Sequence, residues 1–418
     1  MAVTSLSDIN ALGKVAEAMI EQLGKISAEP NRLVRLYLTP EHRRAADQVA
    51  AWMRDAGLGV SEDALGTVRG RLDGGNGKRL LIGSHIDTVI NAGKYDGTFG
   101  VVAGILAAGH FARAGKKLPF GIDVLAFGDE EGSRFATTLS SSVAVAGIFE
   151  DSRLTKVDRN GVSLANALIA YGKQLKDIPA AAYRRDEVGA YVEVHIEQGP
   201  VLEAYDQPLG VVTGIIGQAY FDIVLRGVAG HAGTVPMDLR RDALAGAAEI
   251  VGIVERFAAA QKDMLVATVG NLAVQPNASN VIPSQVLFTL DLRAADNDVR
   301  NDLADWFETE AGAIAARRNL EIAITSTRDT ATTPCDPRLQ DMLAGAITGV
   351  GGNALRLGSG AGHDGQAMAK LCPIGMLFVR CKGGISHNPA EYASPHDMGI
   401  AVAALIGFIE NYDAQAFG

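Results

Sequence analysis

Four short apolar runs, each closing on or soon followed by a histidine or an acid, constrain this chain most. They are RLLIGSHI at 79–86, IDVLAF at 122–127, YVEVHI at 191–196 and IGMLFVR at 374–380. Their length and branched side chains read as buried strands. Helical spacing fills the intervals, most clearly at 101–114. Strands alternating with helices predict an α/β fold with a largely parallel sheet covered on both faces. In such a sheet ligands collect outside the carboxyl ends of the strands. His85, Glu130 and Glu131, His195 and His387 all fall at or just past those ends.

The rest of the chain divides around this pattern. Helices are predicted at 9–23 and from Pro40 to Ala56, where Pro opens the helix and Gly57 closes it. Between 214 and 330 the order changes: strand 219–226, helix 238–259, strands 265–274 and 285–293, helix 296–318, strand 321–326. This β-α-β-β-α-β order is the ferredoxin-like unit. The expected organisation is an α/β domain formed by 1–213 and 331–418, with an inserted domain at 214–330.

Composition removes other classes. The 418 residues carry 38 Lys plus Arg against 48 Asp plus Glu, a net charge of −10. That disfavours coating nucleic acid or an anionic membrane, but not holding one small anion. The longest uncharged stretch, 264–290, is broken by Pro276 and Pro283 and is no membrane span. No basic start precedes an apolar core at the N-terminus, so no signal peptide is expected. Three cysteines, Cys335, Cys372 and Cys381, form neither a zinc-thiolate pattern nor a disulfide framework. A cytoplasmic protein is expected.

Each polar cluster has a bland and a chemical reading. His85 and Asp87 stand two apart at a strand end, where a ligand and the holder of its other ring nitrogen would stand. Asp96 suits a helix N-cap at least as well as a ligand. Asp129, Glu130 and Glu131 repel one another unless cations or solvent compensate. They could form a surface turn, or one could bind a metal while its neighbour accepts a proton. Glu193, His195 and Glu197 share one face of their strand. His387 lies in a loop, where a lone histidine is usually solvated. His42 and His110 read as surface or packing residues. Together the imidazoles and carboxylates suit Zn²⁺ or Mn²⁺, with enough donors for two ions sharing a carboxylate.

At these residues the chain resembles a known family. GSHIDTV, YDGTFGVVAG, GDEEGSRF, HIEQGP, GHAGTVPMDLRRDAL, NASNVIP, GAGHDGQAMA and GGISHNPAEY occur in that order. They are similar to the ureido-cleaving amidases of the aminoacylase/carboxypeptidase superfamily. That branch includes allantoate amidohydrolase, ureidoglycolate amidohydrolase, N-carbamoyl-L-amino acid hydrolase and β-ureidopropionase. The resemblance implies a di-metal exopeptidase-like catalytic domain with an inserted dimerisation or lid domain, and a homodimer. It implies that His85, Asp96 and His195 hold one ion, and that Asp96, Glu131 and His387 hold the other. Zn or Mn is expected, with Co or Ni acceptable. Glu130 would be the general base and Asp87 the partner of His85. His195, followed by Gln198 in HIEQGP, matches the ureido-cleaving branch rather than its peptidase relatives.

Substrate roles follow from the same resemblance. Arg293 would clamp a carboxylate, since its planar fork matches two oxygens. Asn280 and Gln198 would bind ureido or carboxylate groups. His231 would stabilise the oxyanion, reaching it from the partner subunit's inserted domain. His363 and Asp364 would shape the pocket wall. GHAGTVPM and RCKGGISHNPAEY resemble allantoate-cleaving members most, whereas carbamoylases more often carry Thr where Val235 stands. The implied reaction is hydrolysis of a ureido C–N bond in purine or ureide nitrogen catabolism. Two other classes compete. GAGHDG at 360–365 is a literal G-x-G-x-x-G, but it lacks a clear apolar strand before it and an acidic strand end about 20 residues on. A non-catalytic relative should have lost the base or a ligand, and none is missing.

Overall fold

The computed structural model describes residues 5–75, 77–260 and 265–417. In chain order its strands are β1 (Gly59–Glu62), β2 (Val68–Leu72), β3 (Gly77–His85), β4 (Phe120–Phe127), β5 (Val188–Ile196), β6 (Leu209–Ile215), β7 (Gly217–Arg226), β8 (Leu265–Thr268), β9 (Leu272–Gln275), β10 (Gln285–Ala294), β11 (Glu321–Thr330), β12 (Thr333–Pro334), β13 (Leu355–Ser359) and β14 (Ile374–Val379). The chain divides into two units, Met1–Thr213 with Pro334–Gly418, and Gly214–Thr333.

The first unit is built on a mixed sheet in the order β1-β2-β4-β3-β5-β14-β6-β12, with β13 beside β6. Its centre, β4-β3-β5-β14, is parallel, while β2 and β6 run antiparallel on either side. Every residue of β4, β5 and β14 is buried. That is the state of a sheet covered on both faces, and it explains why these strands read as unbroken apolar runs. The helices Thr98–Ala114 and Pro395–Asn411 supply much of the cover, and both are buried along most of their length. The N-terminal helix Leu6–Gly24 is capped by the Ser5 hydroxyl, and Pro40–Asp55 by Thr39 with Pro at its first turn.

The second unit has an antiparallel sheet, β11-β7-β10-β8, with β9 also paired to β10. The helices Ala243–Ala260 and Asn297–Arg317 share its apolar core, which includes Leu225, Ile250, Leu290 and Phe307. Three local expectations change here. The strand expected at 265–274 is two short strands, interrupted before Asn271, whose carbonyl accepts the Thr289 N–H. The helix expected from 238 begins at Ala243, after a 3-10 turn at Met237–Leu239. The unit also extends past 330 to Thr333. The Thr332 N–H donates to Asn297, and its hydroxyl lies 2.9 Å from the Gly217 nitrogen, tying that segment back. Among the described residues no helix is long and apolar enough to cross a membrane.

Candidate metal centre

The parallel register brings the strand ends together. His85, the last residue of β3, pairs with Phe127 of β4, and His195 near the end of β5 pairs with Phe378 of β14. Asp96 enters from the turn before the helix Thr98–Ala114. The N-cap of that helix is Gly97, with no side-chain cap bond, so Asp96 is not a cap. Its Oδ1 lies 3.1 Å from His195 Nε2 and 3.6 Å from His85 Nε2, and its Oδ2 lies 3.2 Å from His387 Nε2. His387 Nε2 also lies 3.5 Å from Glu131 Oε2, and His85 Nε2 lies 3.8 Å from Glu130 Oε2.

Two donor sets share Asp96. His85, Asp96 and His195 present ligand atoms within 4.8 Å of one another, and so do Asp96, Glu131 and His387. The two rings from strand ends are 1% exposed, whereas the His387 side chain is 50% exposed. Gly97 has φ 60° and ψ −49°, and a Cβ there would sit 2.3 Å from His85 Nε2. Only glycine leaves the imidazole its place.

The outer ring nitrogens are occupied. His195 Nδ1 lies 2.8 Å from the Ile196 carbonyl. His85 Nδ1 lies 3.1 Å from the Asp87 carbonyl oxygen, with the Asp87 carboxylate at 3.5 Å. Both contacts turn Nε2 toward Asp96, and His195 Nε2 also accepts the Gly97 N–H at 3.3 Å. The Asp87 carboxylate also accepts the N–H groups of Glu130 (3.2 Å) and Glu131 (3.3 Å). One residue thus orients His85 and fixes the backbone of both glutamates.

The electrostatics fit a divalent pair. Burial drives the Glu130 carboxyl well above its usual range. Burial, reinforced by Asp96, pushes Glu131 up to about 7. Asp96 is buried too, but the hydrogen-bonding imidazoles of His195, His387 and His85 hold it well below the usual carboxylate range. His387, bonded to Asp96, rises to about 9. The ion-pair partners of Asp96, Glu130 and Glu131 are imidazoles. A metal bound at these oxygens and imidazoles would compete with protons for the same atoms. The all-N/O donor set suits Zn²⁺ or Mn²⁺.

Other predicted residues are placed as follows. Gln198 donates through Nε2 to Asp96 Oδ2 (3.0 Å) and Ser386 Oγ (3.2 Å), and its Oε1 is buried without a hydrogen bond. His363 and Asp364 are buried. The His363 ring stands edge-on to His195 at 4.4 Å, and its Nε2 lies 2.6 Å from Ser359 Oγ. In the second unit, His231 and Asn280 are exposed neighbours. His231 bridges to Val281, and the Ala232 N–H donates to the Asn280 carbonyl. His231 Nδ1 accepts the Gly233 N–H at 3.0 Å, which leaves the ring proton on Nε2. Arg293 lies on β10, bonded to Asp291 two residues away and to the Tyr220 hydroxyl.

Several residues near the centre had no assigned role in the sequence. Glu193 accepts the Ser84 hydroxyl, the Tyr191 hydroxyl and the Gly365 N–H, and with His195 and His363 it forms a further buried group of ligand-type atoms. The bond from Gly365 occupies the first amide of the short helix Gly365–Met368, which a dinucleotide phosphate would need. Glu197 accepts the Val201 and Leu202 N–H groups and stands apart from the donor sets. Asp129 is buried with φ 64°, bonded by the Ser140 hydroxyl. Glu391, within the NPAEY segment, is buried against the Asp96 turn.

The fold thus brings together two His/carboxylate donor sets that share Asp96 and could hold metal ions, the kind of centre a metal-dependent hydrolase uses. The model of peptidase family M20/M25/M40 matches residues 81–411, and the chain belongs to that family. An allantoate deiminase of Arabidopsis thaliana is 41% identical over 428 residues, covering 95% of this chain and 82% of the relative. An N-carbamoyl-L-amino acid amidohydrolase of Geobacillus stearothermophilus is 40% identical over 387 residues, covering 92% and 94%. A crystal structure of a hydantoinase/carbamoylase family amidase from Burkholderia multivorans superposes with a TM-score of 0.89 at 33% identity, covering 95% and 97%. The chain is thereby an amidohydrolase-class enzyme acting on carbon–nitrogen bonds other than peptide bonds.

Proposed function

We propose that this chain hydrolyses the terminal ureido C–N bond of allantoate. Water adds to the carbonyl, the C–NH₂ bond breaks, ammonia leaves, and the remaining carbamate decomposes to carbon dioxide and amine. The observation that carries the reading is Asp96, whose two carboxylate oxygens face different donor sets, with Glu130 beside them. His85, Asp96 and His195 would hold one divalent ion, and Asp96, Glu131 and His387 the other. Bound there, such a pair acidifies water and polarises a carbonyl. Glu130 takes the proton of the attacking water and returns it to the leaving nitrogen. Its burial raises its affinity for that proton. Asp87 keeps His85 in register.

His231 would offer Nε2–H to the oxyanion, since Gly233 occupies Nδ1. Arg293 would clamp the carboxylate, and Asn280 and Gln198 the remaining polar groups. We assign the unit Gly214–Thr333 to homodimer formation or lid motion. The cytoplasm suits the three free cysteines.

Allantoate is favoured over N-carbamoyl-L-amino acids by Val235 in GHAGTVPM. The carbamoylase reading is supported by a relative of nearly equal identity. An ammonia-release assay on metal-reconstituted enzyme compares allantoate, ureidoglycolate, N-carbamoyl-L-amino acids and N-carbamoyl-β-alanine. Allantoate should have the highest kcat/KM, and a carbamoyl amino acid ahead of it would overturn the assignment. Glu130→Gln should keep both ions and lose at least about a hundredfold in kcat. Retained turnover would remove Glu130 as the base.

A further inference from the structure

Glu391 lies in the loop that carries His387 and is 4% exposed. Its carboxylate reaches across to the turn that carries Asp96. Oε1 accepts two consecutive backbone amides, Tyr95 N–H at 2.8 Å and Asp96 N–H at 3.1 Å. Oε2 accepts the Ser386 hydroxyl at 2.8 Å. The bond series runs on: Gln198 Nε2 donates to both Ser386 Oγ and Asp96 Oδ2. Gly93 leaves room for this, because a Cβ there would lie 2.2 Å from the Glu391 carboxyl group. The segments joined are distant in sequence, and each carries one member of the Asp96–Glu131–His387 set.

We infer that Glu391 is a positioning residue that clamps the Asp96 turn to the His387 loop and so preserves the geometry of the Asp96–Glu131–His387 cation position. The inference rests on the two-ion reading above. His85 and His195 belong to strands held by backbone ladders on both sides. His387 has no strand beneath it: it sits in a loop with φ 53°. Without Glu391 the buried Tyr95 amide loses its acceptor and the two loops lose their shared anchor. The position built on loops then loosens while the position built on strand ends stays.

The test is a Mn²⁺ titration of the metal-free full chain, read as stoichiometry and two affinities, with electron paramagnetic resonance reporting the coupled pair. Wild type should bind two ions. Glu391→Ala should weaken one of them by about 10–100-fold, keep the other within a few-fold and lose the coupled signal. Glu391→Gln keeps an Oε1 acceptor for both amides and should restore the second ion. Should the alanine variant not fold, Glu391→Asp, one methylene too short to reach both loops, takes its place with the same expectation. Two ions bound as in wild type by the alanine or aspartate variant would overturn the clamp, and so would a glutamine variant as weak as alanine. A wild type that binds no pair would instead overturn the two-ion reading together with the clamp.

Discussion

Gly97→Ala places the smallest side chain against the centre. The perturbation is double. At φ 60° and ψ −49° an L-residue is strained, which costs about 1–3 kcal/mol. The new Cβ would also lie 2.3–2.4 Å from three atoms of the His85 ring, where real contacts stay beyond 3.0 Å. The ring must therefore retreat by about 0.7 Å, and Nε2, the ring atom that faces Asp96, is among those displaced. The ring is buried and its Nδ1 is held at Asp87, so it cannot simply swing aside. A ligand held this way tolerates about 0.5 Å of error. The expected result is a 10–100-fold weaker ion at His85–Asp96–His195. A metal-free melting temperature several degrees lower should accompany it, at about 2–4 °C per kcal/mol. Isothermal titration with Mn²⁺ and a thermal melt read both. Two ions bound as tightly as in wild type with an unshifted melt would refute the steric argument, and with it the place of Gly97 in the site.

Other perturbations test other parts of the structure. Burial lowers the His42 pKa from 6.5 to about 3, and its Nδ1 lies 2.8 Å from the Tyr171 hydroxyl. Between those values the unfolded chain takes a proton that the folded chain refuses. Stability should therefore fall on acidification by about 1.4 kcal/mol per pH unit; His42→Asn should flatten this in urea unfolding, and parallel pH curves for the two proteins would contradict it. Glu131 has the opposite sign: its folded pKa is raised from 4.5 to about 7, so its contribution is present in acid and lost as pH rises through that window. Stabilisation by added Mn²⁺ should accordingly be larger at pH 7.5 than at pH 5, and equal melting shifts at both would sink the competition between metal and protons. Arg293→Ala should raise KM for carboxylated substrates by at least about tenfold, consistent with a lost charge-assisted bond; an unchanged KM would remove Arg293 as the carboxylate clamp.

What the sequence made legible was whatever obeys a period. The parallel central strands are buried on both faces, so their apolar runs were unmistakable, and the donors at their ends followed. Asp96 stayed open between cap and ligand, because an acid before a helix fits both until the Gly97 backbone is seen. Features set by backbone geometry were not legible. Asp129, Gln198 and His387 have positive φ without being glycine, and no residue pattern announced it. The double hold of Asp87 on Glu130 and Glu131 depends on two loop amides, which leave no trace in side-chain type. Glu391 was visible as part of a motif, but its acceptor role requires knowing that residues 95 and 96 lie beside it. Thr332 extended the inserted unit past 330 through hydrogen bonds rather than through hydrophobic spacing.

The two donor sets differ in kind, and the difference follows from topology. His85 and His195 end neighbouring strands of one parallel ladder, so their spacing is set by the sheet and by carbonyls holding their Nδ1 atoms. Glu131 and His387 come from loops: the first is held through its amide by Asp87, and the second through its neighbours by Ser386 and Glu391. A sheet edge can fix one cation position by ladder geometry alone, but a second position beside it must be reached by chain that has left the sheet. Such chain is rigid only where buried acceptors take up its amides. The carboxylates of Asp87 and Glu391 do this on either side of Asp96. Acids at this edge therefore divide by what they bond: Asp96, Glu130 and Glu131 face the imidazoles, whereas Asp87 and Glu391 each accept two loop amides and hold that first group in place.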